Sequence, residues 1–251
     1  MPQFIRALLL LLLAASPALA ADNASIEAPA GTPVVGERLV FDVVWMGIPV
    51  GTGTLELKEK LLFAGRPAYH VIATARTNDF FSKIYAIDDE VQSYFDAQTG
   101  YSLEFSKRLK EGRYRADERI VFDPAQKKAF YESFLNKSKK ELPIEGPVHD
   151  LLSAFYRFRL QPVRVGDKWR TTVSSDEKNW DLEMDVLRIE TKHFRKRPSV
   201  RALLVEPKTR LEGVLYNRGR SWVHFSTDRS RTPVWITIHS RFGAVLGVLR
   251  N

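Results

Sequence analysis

Cysteine is absent from the 251 residues of this chain. The protein therefore cannot be stabilised by disulfides, cannot build a thiolate zinc site and cannot be a lipoprotein, which needs an acylated cysteine at its mature N-terminus. Stability must come from apolar burial and backbone pairing. For a chain of this size that favours a large closed or layered sheet.

Long hydrophobic runs are also missing. One apolar block, Ala7–Ala15, follows a single charge at Arg6 and is too short to cross a bilayer. The small residues Ala18 and Ala20 suit signal peptidase, so residues 1–20 are interpreted as a cleavable signal peptide. The mature protein is expected to be periplasmic, not membrane-spanning and not a lipoprotein.

Negative charge is in the minority, with 30 Asp and Glu against 38 Lys and Arg. Export excludes nucleic acid as a partner and leaves anionic phospholipid, lipopolysaccharide, peptidoglycan carboxylates or an acidic protein. Because charges of both signs are interleaved, a solvated mixed surface explains the excess equally well. The densest basic stretches, Lys137–Lys140 and His193–Arg197, are predicted to be loops.

Strand patterns dominate the rest of the chain. Residues 21–35, rich in Ala, Pro and Gly, predict a flexible leader, and residues 36–251 are expected to form a single β-rich domain. Residues 38–45 have apolar side chains on both faces of the predicted strand. In the later runs apolar and polar residues alternate, and turn residues separate one run from the next. The other predicted strands are 54–60, 68–77, 90–95, 103–109, 114–122, 128–134, 168–173, 180–189, 200–206, 211–216, 221–225, 234–239 and 245–249.

One helix interrupts these strands. Asp150 is its predicted N-cap, Leu151, Phe155 and Phe158 lie on one face, and Pro162 ends it. So many short strands imply strong curvature, since a flat sheet would leave long open edges. The predicted fold is mainly β: a single large curved antiparallel sheet, a spiral or half-open β-barrel, with one α-helix packed against it.

Aromatic residues are plentiful, and most should form the core. An apolar insert follows Asn78 and Asp79, either of which can cap a short helical turn. A barrel of this strand number is wide enough to hold a cavity, and the insert could form its wall or lid. The candidate ligand-binding residues are Trp45, Phe80, Phe81 and Tyr85.

The five histidines lack the spacings of a metal site. His224 and His239 flank a predicted turn and could approach each other, but two imidazoles without a third ligand make a poor site. No metal and no cofactor is predicted.

Hydrolase residue types occur together at His149, Asp150 and Ser153. A triad needs its base between nucleophile and carboxylate with a separate oxyanion hole, usually from other segments, and no G-x-S-x-G elbow is present. A helix cap explains the cluster more simply. Among paired carboxylates, alternation places Glu183 and Asp185 on a solvated outer face rather than in a glycosidase pocket. No catalytic residue is predicted, and an enzyme is not expected.

The chain resembles a bacterial exported family catalogued as domain of unknown function 3108. The similarity covers nearly all of the mature chain. The residues that carry it are Gly36, Glu37, Arg38, Leu39, Val44, Trp45, Met46, Gly47, Thr77, Phe80, Tyr85, Asp88, Ser93, Glu111, Gly112, Phe122, Asp123, Asp150, Leu151, Leu152, Ser153, Ala154, Tyr156, Arg159, Gly166, Asp167, Asp228, Arg231, Pro233 and Val234. The resemblance implies a periplasmic or secreted β-rich protein, and it assigns no functional residue.

Two functions remain open. The first is a non-enzymatic soluble periplasmic protein that binds an apolar or amphiphilic envelope component such as a lipid. The second is an envelope-integrity scaffold that contacts a protein or peptidoglycan without a small ligand. A hydrolase ranks third.

Overall fold

The computed structural model describes residues 26, 31–175, 177–195, 197–211, 214–215, 220–240 and 243–250. The predicted signal peptide lies outside these residues, as does most of the predicted leader. Of that leader, Ile26 packs against the apolar core.

Fifteen strands and two helices make up the described chain. Their bounds are β1 Arg38–Trp45, β2 Ile48–Phe63, β3 Arg66–Thr77, α1 Asp79–Ser82, β4 Asp88–Asp96, β5 Ser102–Glu111, β6 Tyr114–Asp123, β7 Lys128–Ser133, β8 Ser138–Pro143, α2 Leu151–Arg159, β9 Lys168–Ser175, β10 Lys178–Lys192, β11 Val200–Leu211, β12 Val214–Leu215, β13 Arg220–Ser226, β14 Pro233–Ser240 and β15 Gly243–Leu249. The mainly β fold with a helix against the sheet is confirmed.

All strands belong to one antiparallel sheet that does not close. Its order is β8-β7-β6-β5-β4-β3-β2-β1-β15-β14-β13-β11-β10-β9, with the short β12 beside β11. Bulges in several pairs, including β2 with β3, increase its twist. β8 and β9 are the edges. They do not pair with each other, but the Asn179 side-chain amide donates to the Pro143 carbonyl at 2.7 Å, and Lys140 pairs with Glu177.

The sheet curls around α2. The three apolar clusters of the core come from different strand groups, and each contains α2 residues: Tyr156 in one, Ala154 and Phe158 in the second, Leu152 against the third. Because strands pack on several sides of α2, the sheet must curve around the helix with its concave face toward it. That face is therefore the interior of the half-barrel.

The predicted cap of α2 is confirmed. The Asp150 carboxylate accepts hydrogen bonds from the backbone N–H groups of Leu152 and Ser153, and the Ser153 hydroxyl completes a capping box. α1 is capped in the same way by Asn78, whose side chain accepts from the Phe81 N–H at 2.9 Å. The two helices lie at different ends of the half-barrel.

We call these ends the α1 end and the α2 end. The α1 end carries the loops β1–β2, β3–β4, β5–β6 and β7–β8, and α1 belongs to the second of these. The α2 end carries the intervening loops and the segment 144–150 that leads into α2. This segment runs along the sheet, because the Ser102 N–H donates to the Val148 carbonyl and the Ser174 N–H to the His149 carbonyl.

One loop prediction is wrong. Lys139 and Lys140 belong to β8, and only Lys137 lies in the preceding turn, at φ 52°. Strand pairing with β7 overrides the charged composition, because an edge strand can keep its lysines in solvent. The second basic stretch, near His193, is irregular in its described part, as predicted.

Candidate functional site

The concave face changes character along β1, β2 and β15. Directly opposite residues of an antiparallel pair share a face. Leu39 lies opposite Leu55, and both are buried in the core beside α2. Two rows further toward the α1 end, Val43 lies between Gly51 and Gly247, and all three are only half-buried. The core is therefore filled at the α2 end and thins out toward the α1 end.

We call this thinner region the open strip. Its members are apolar or lack a side chain, and they share the concave face at half-buried positions. They are Val43, Trp45, Gly51, Gly53, Ala75, Val245 and Gly247. The opposite face of the same strands is mixed: Arg250 donates to the Asp42 carboxylate at 2.5 Å, whereas Val44, Leu246 and Val248 are half-buried apolar residues on that side. The open strip differs from that face by lying inside the curve of the sheet and by its glycines.

Gly53 leaves real space in the open strip. A Cβ added there would have its nearest neighbours at 3.7 Å, the Thr74 carbonyl oxygen, and 3.8 Å, a Val43 methyl group. Those are ordinary van der Waals distances, so the position tolerates a side chain. Gly51 differs, because a Cβ there would lie 2.1 Å from the Arg76 carbonyl oxygen, so glycine is required at that bulge.

A buried carboxyl pair adjoins the open strip. Asp89 lies directly opposite Ala75 on the same face and is 2% exposed. Its Oδ1 accepts from the Lys110 N–H at 2.7 Å, and the buried Glu111 carboxyl lies close enough to affect its pKa. Burial, with a smaller contribution from neighbouring Asp88, raises the pKa of Asp89 to about 6.

An ion pair continues this polar group across the concave face. Lys107 lies opposite Val91, is 8% exposed and contacts the Glu118 carboxylate at 3.0 Å. Burial, and then the charge of Glu118, raises the pKa of the neighbouring Tyr131. The inner face near α1 therefore combines an apolar strip with a few buried polar groups, which is the usual composition of a site for an amphiphilic molecule.

Tyr85 covers the carboxyl pair. Its ring lies so close to Gly112 that a Cβ there would be 2.6 Å from Cε2, and Gly112 also has a positive φ of 53°. Burial, with smaller contributions from Glu111 and Asp89, raises the pKa of the Tyr85 phenol. The β3–β4 insert is held to the β1–β2 hairpin by Asn78, whose amide donates to the Pro49 carbonyl at 3.0 Å.

The four residues proposed from sequence occupy different environments. Trp45 ends β1 within the open strip, opposite Val245, and is half-buried. Phe80 and Phe81 meet edge to face at 5.3 Å between ring centroids, but Phe80 is 68% exposed while Phe81 is half-buried. Tyr85 is half-buried on the carboxyl pair. The geometry unites Phe81 with Phe80 and places Trp45 and Tyr85 on the concave side.

Sequence reasoning assigned no site role to Asp89, Lys107 or Glu111. A signal for them exists, because each has the same parity as buried apolar neighbours in its strand: Val91 and Phe95 for Asp89, Phe105 and Leu109 for the other two. A charge on the apolar parity of a strand indicates an inward-facing polar group.

The hydrolase-like cluster has no triad geometry. His149 Nδ1 lies 3.2 Å from the Ser153 hydroxyl, but the Asp150 carboxylate is bonded to Ser93 and Ser102, each at 2.6 Å. Burial, then the charge of Arg157, lowers the pKa of His149 to about 4. The cluster is a buried hydrogen-bond network that fixes the start of α2.

The two histidines near the β13–β14 turn do not share a site. His224 is buried and bonds Glu190 at 2.8 Å through Nε2, whereas His239 is exposed and packs edge-on to Trp222. In the part of the chain that the structure describes, no group of three or more His, Asp or Glu is arranged to hold a metal ion.

The solvated face predicted for Glu183 and Asp185 is wrong in its exposure. Both point away from the apolar core, as expected, but both are buried. Arg170 covers Glu183 at 2.6 Å and Lys208 covers Asp185 at 2.5 Å. Long basic side chains from the neighbouring strands β9 and β11 remove these carboxylates from water.

Comparison with known proteins identifies the family. The chain belongs to the family described as "Protein of unknown function (DUF3108)", whose model matches residues 40–250. The resemblance inferred from sequence is confirmed. No curated protein matched the chain.

Among solved structures, the chain is similar to the crystal structure of a β-barrel-like protein of domain of unknown function DUF1849 from Brucella abortus. The identity is 11%, the TM-score is 0.57, and the match covers 86% of this chain and 96% of that chain. This likeness shows a shared fold. Neither comparison indicates a catalytic family. Within the described residues, no helix is long and apolar enough to cross a membrane.

Proposed function

We propose that this protein is a non-enzymatic periplasmic protein that binds an apolar or amphiphilic envelope component, such as a lipid, on the open strip. The observation that carries the proposal is the contrast within one concave face. Side chains fill it around α2, whereas near α1 it offers glycine, alanine and valine positions that remain half-exposed. A surface of this kind is stabilised by an apolar occupant, at about 25 cal/mol for each Å² removed from water.

The polar groups beside the strip define the expected ligand. Asp89 and Glu111 are carboxyl groups that could exchange hydrogen bonds with a head group, and the Lys107–Glu118 pair offers charge of both signs. The acyl part would lie on Gly53 and Ala75, which lead directly to Asp89 across the sheet. The expected ligand is therefore a single- or double-chain amphiphile.

Export is part of the proposal. Residues 1–20 support it by their short apolar block and small residues before the cleavage point. N-terminal sequencing of protein recovered from the periplasm tests it. A mature chain that begins at Ala21 is expected, and an intact Met1 in the cytoplasm would contradict it.

Native mass spectrometry of gently purified mature protein tests ligand binding, together with a titration of the fluorescent apolar probe N-phenyl-1-naphthylamine. Wild type is expected to carry a bound amphiphile and to enhance the probe fluorescence. Gly53→Leu should lower probe affinity about tenfold or more, since the leucine side chain would occupy the space above Gly53 and remove contacts worth about 1.5–3 kcal/mol.

The matched control is Thr52→Leu, one residue earlier on the same strand but on the outer face. It adds the same side chain and should leave probe affinity unchanged. Equal affinities for wild type, Gly53→Leu and Thr52→Leu, or a protein that never carries or exchanges a lipid, would reject the proposal.

The scaffold alternative is favoured by one observation. β8 is an edge strand, and its exposed Lys139 and Lys140 could contact acidic groups of peptidoglycan. Co-sedimentation with purified sacculi tests this function. Binding that Lys139→Glu with Lys140→Glu abolishes and Gly53→Leu leaves intact would favour the scaffold over the ligand carrier.

A further inference from the structure

Exposed apolar side chains are concentrated at the α1 end. Among the described residues, nine large apolar side chains are exposed, and six of them lie on loops of this end or beside them. We call these six the apolar rim: Met46, Ile48, Phe80, Ile84, Phe134 and Leu135. The remaining three, Val34, Val35 and Leu62, lie elsewhere.

The apolar rim follows neighbouring loops of the sheet. Met46 and Ile48 belong to the β1–β2 hairpin, Phe80 and Ile84 to the β3–β4 insert, and Phe134 and Leu135 to the β7–β8 turn. Strands β1 to β8 are consecutive in the sheet, and strands are spaced by about 4.8 Å, so the rim spans roughly 35 Å of one edge of the half-barrel. It is too long for one small ligand and suits an extended surface.

Cations surround these apolar residues. Residues 78–88, 110–115 and 134–140 contain only two exposed carboxylates, Asp79 and Asp88. The exposed basic residues of the same ranges are Lys83, Lys110, Arg113, Arg115, Lys137, Lys139 and Lys140. Exposed apolar side chains among an excess of cations are the features by which proteins bind the interface of anionic bilayers.

Pairing does not cancel this positive charge. Three of the seven cations are paired: Lys110 reaches Asp88 at 3.4 Å, Lys139 reaches Glu132 at 3.0 Å, and Lys140 pairs with Glu177. In the described chain, by contrast, no carboxylate forms an ion pair with Lys83, Arg113 or Lys137. These three cations lie on successive loops of the α1 end and are available to phosphate groups outside the molecule.

We propose that the α1 end docks on an anionic phospholipid bilayer, with the apolar rim inserted at the interface and the surrounding cations on the lipid phosphates. Docking in this orientation turns the α1-proximal open strip toward the bilayer and leaves α2 on the far side. The proposal stands on the exposed surface alone and does not need a ligand in the open strip.

Vesicle flotation of the mature full-length protein tests docking. Wild type should float with vesicles of phosphatidylglycerol and phosphatidylethanolamine, bind phosphatidylcholine vesicles more weakly, and dissociate as salt is raised. The double variant Phe80→Ser, Ile84→Ser should bind the anionic vesicles more weakly by about tenfold or more. Both side chains are already exposed, so only their insertion into the bilayer is lost.

Leu62→Ser is the control for lost apolar surface. Leu62 is 73% exposed, as exposed as the rim residues, but lies beside the β2–β3 turn at the other end of its strand. Vesicle binding should be unchanged. Circular dichroism and a thermal melt should show both variants folded, since neither alters a buried residue.

Two lysines provide a matched pair for charge. Lys137 and Lys127 are both exposed turn residues with positive φ, 52° and 54°, but they precede strands β8 and β7 and so lie at opposite ends. Lys137→Glu should weaken anionic-vesicle binding about fivefold or more, and Lys127→Glu should not. Wild-type protein that ignores anionic vesicles, or equal binding by each variant and its control, would overturn the proposal.

Two further results separate the explanations. If the rim instead joins two copies of the chain, Phe80→Ser with Ile84→Ser will convert a dimer into a monomer without any vesicle binding by wild type, which rejects docking. If docking holds and ligand binding fails, Gly53→Leu and wild type will float equally while neither binds the fluorescent probe.

Discussion

The two ends of the half-barrel differ in how their polar and apolar side chains are arranged. At the α2 end, the Arg159 guanidinium makes two 2.6 Å hydrogen bonds to Glu37, and Tyr156 donates to the same carboxylate at 3.2 Å. Arg159 also donates to the Ser230 and Arg231 carbonyls. At the α1 end, apolar residues remain in solvent, and burial raises the pKa of the Asp89 carboxyl.

This difference places the strongest buried polar contacts at one end of a continuous sheet and the exposed apolar surface at the other. The contacts of Arg159 join α2, the start of β1 and the β13–β14 turn. The α1 end has exposed apolar surface instead. A contiguous exposed apolar surface usually marks a site that binds a ligand, a protein or a membrane.

The largest effect is expected from Arg159→Met. Glu37 would keep its buried position without a cation, and removing one partner of a buried pair costs about 3–5 kcal/mol of unfolding free energy. Urea unfolding of the mature protein measures this loss. Arg76→Met is the control at the α1 end: its pair with Asp88, at 2.8 Å, has two exposed side chains and should matter by about 1 kcal/mol or less. Similar losses for the two variants would show that the α2 end is not specially fixed.

The second prediction concerns His149 and the α2 end at low pH. The pKa of His149 is lowered from 6.5 to about 4, so between these pH values the unfolded chain binds a proton at this histidine and the folded protein does not. Stability should therefore fall as pH drops from about 6.5 to about 4, by about 2–3 kcal/mol from this group. His149→Gln should remove that part of the pH dependence in urea unfolding. A variant with an unchanged pH profile would contradict a neutral, buried imidazole.

The third and smallest effect has the opposite sign and belongs to the α1 end. The pKa of Asp89 is raised from 3.8 to about 6, so the folded protein holds a proton that the unfolded chain releases. Stability from this group is present at low pH and is lost as pH rises from about 4 to about 6, by about 1–2 kcal/mol. Asp89→Asn should keep the protonated geometry and abolish this loss.

Asp88→Asn is the control for that experiment. The Asp88 carboxylate is exposed, and its hydrogen bond with Arg76 lowers its pKa, so its contribution is lost toward acid rather than toward neutral pH. If both variants shift the pH profile in the same direction, burial does not raise the pKa of Asp89.

Sequence patterns predicted most of the fold because alternation is a local property. The buried positions Leu39 and Phe41 and the capped helix after Asp150 are legible without any partner. β8 was missed because its residues, such as Lys139 and Glu141, have no apolar parity; only pairing with β7 makes them a strand. Composition cannot reveal an edge strand whose side chains remain solvated.

The candidate site was harder to predict, because it depends on register. The row from Gly53 through Ala75 to Asp89 joins residues from three strands, and no single strand shows it. Tyr85 and Trp45 could be named as aromatic residues near a turn. That Tyr85 lies against the buried carboxyl groups of Asp89 and Glu111 follows only from the pairing of β4 with its neighbours.

The pairing of β1 with β15 has a consequence for how the molecule assembles. Phe41 lies opposite Leu249, and the Arg250 N–H donates to the Val40 carbonyl at 2.7 Å, in the middle of the sheet order. Strands β1 to β8 and β9 to β15 can each pair with near neighbours along the chain, but the two groups can join only after β15 has been synthesised. Until then one edge of β1 stays unpaired. A chain that lacks β15 would therefore expose a strand edge through which two copies could associate.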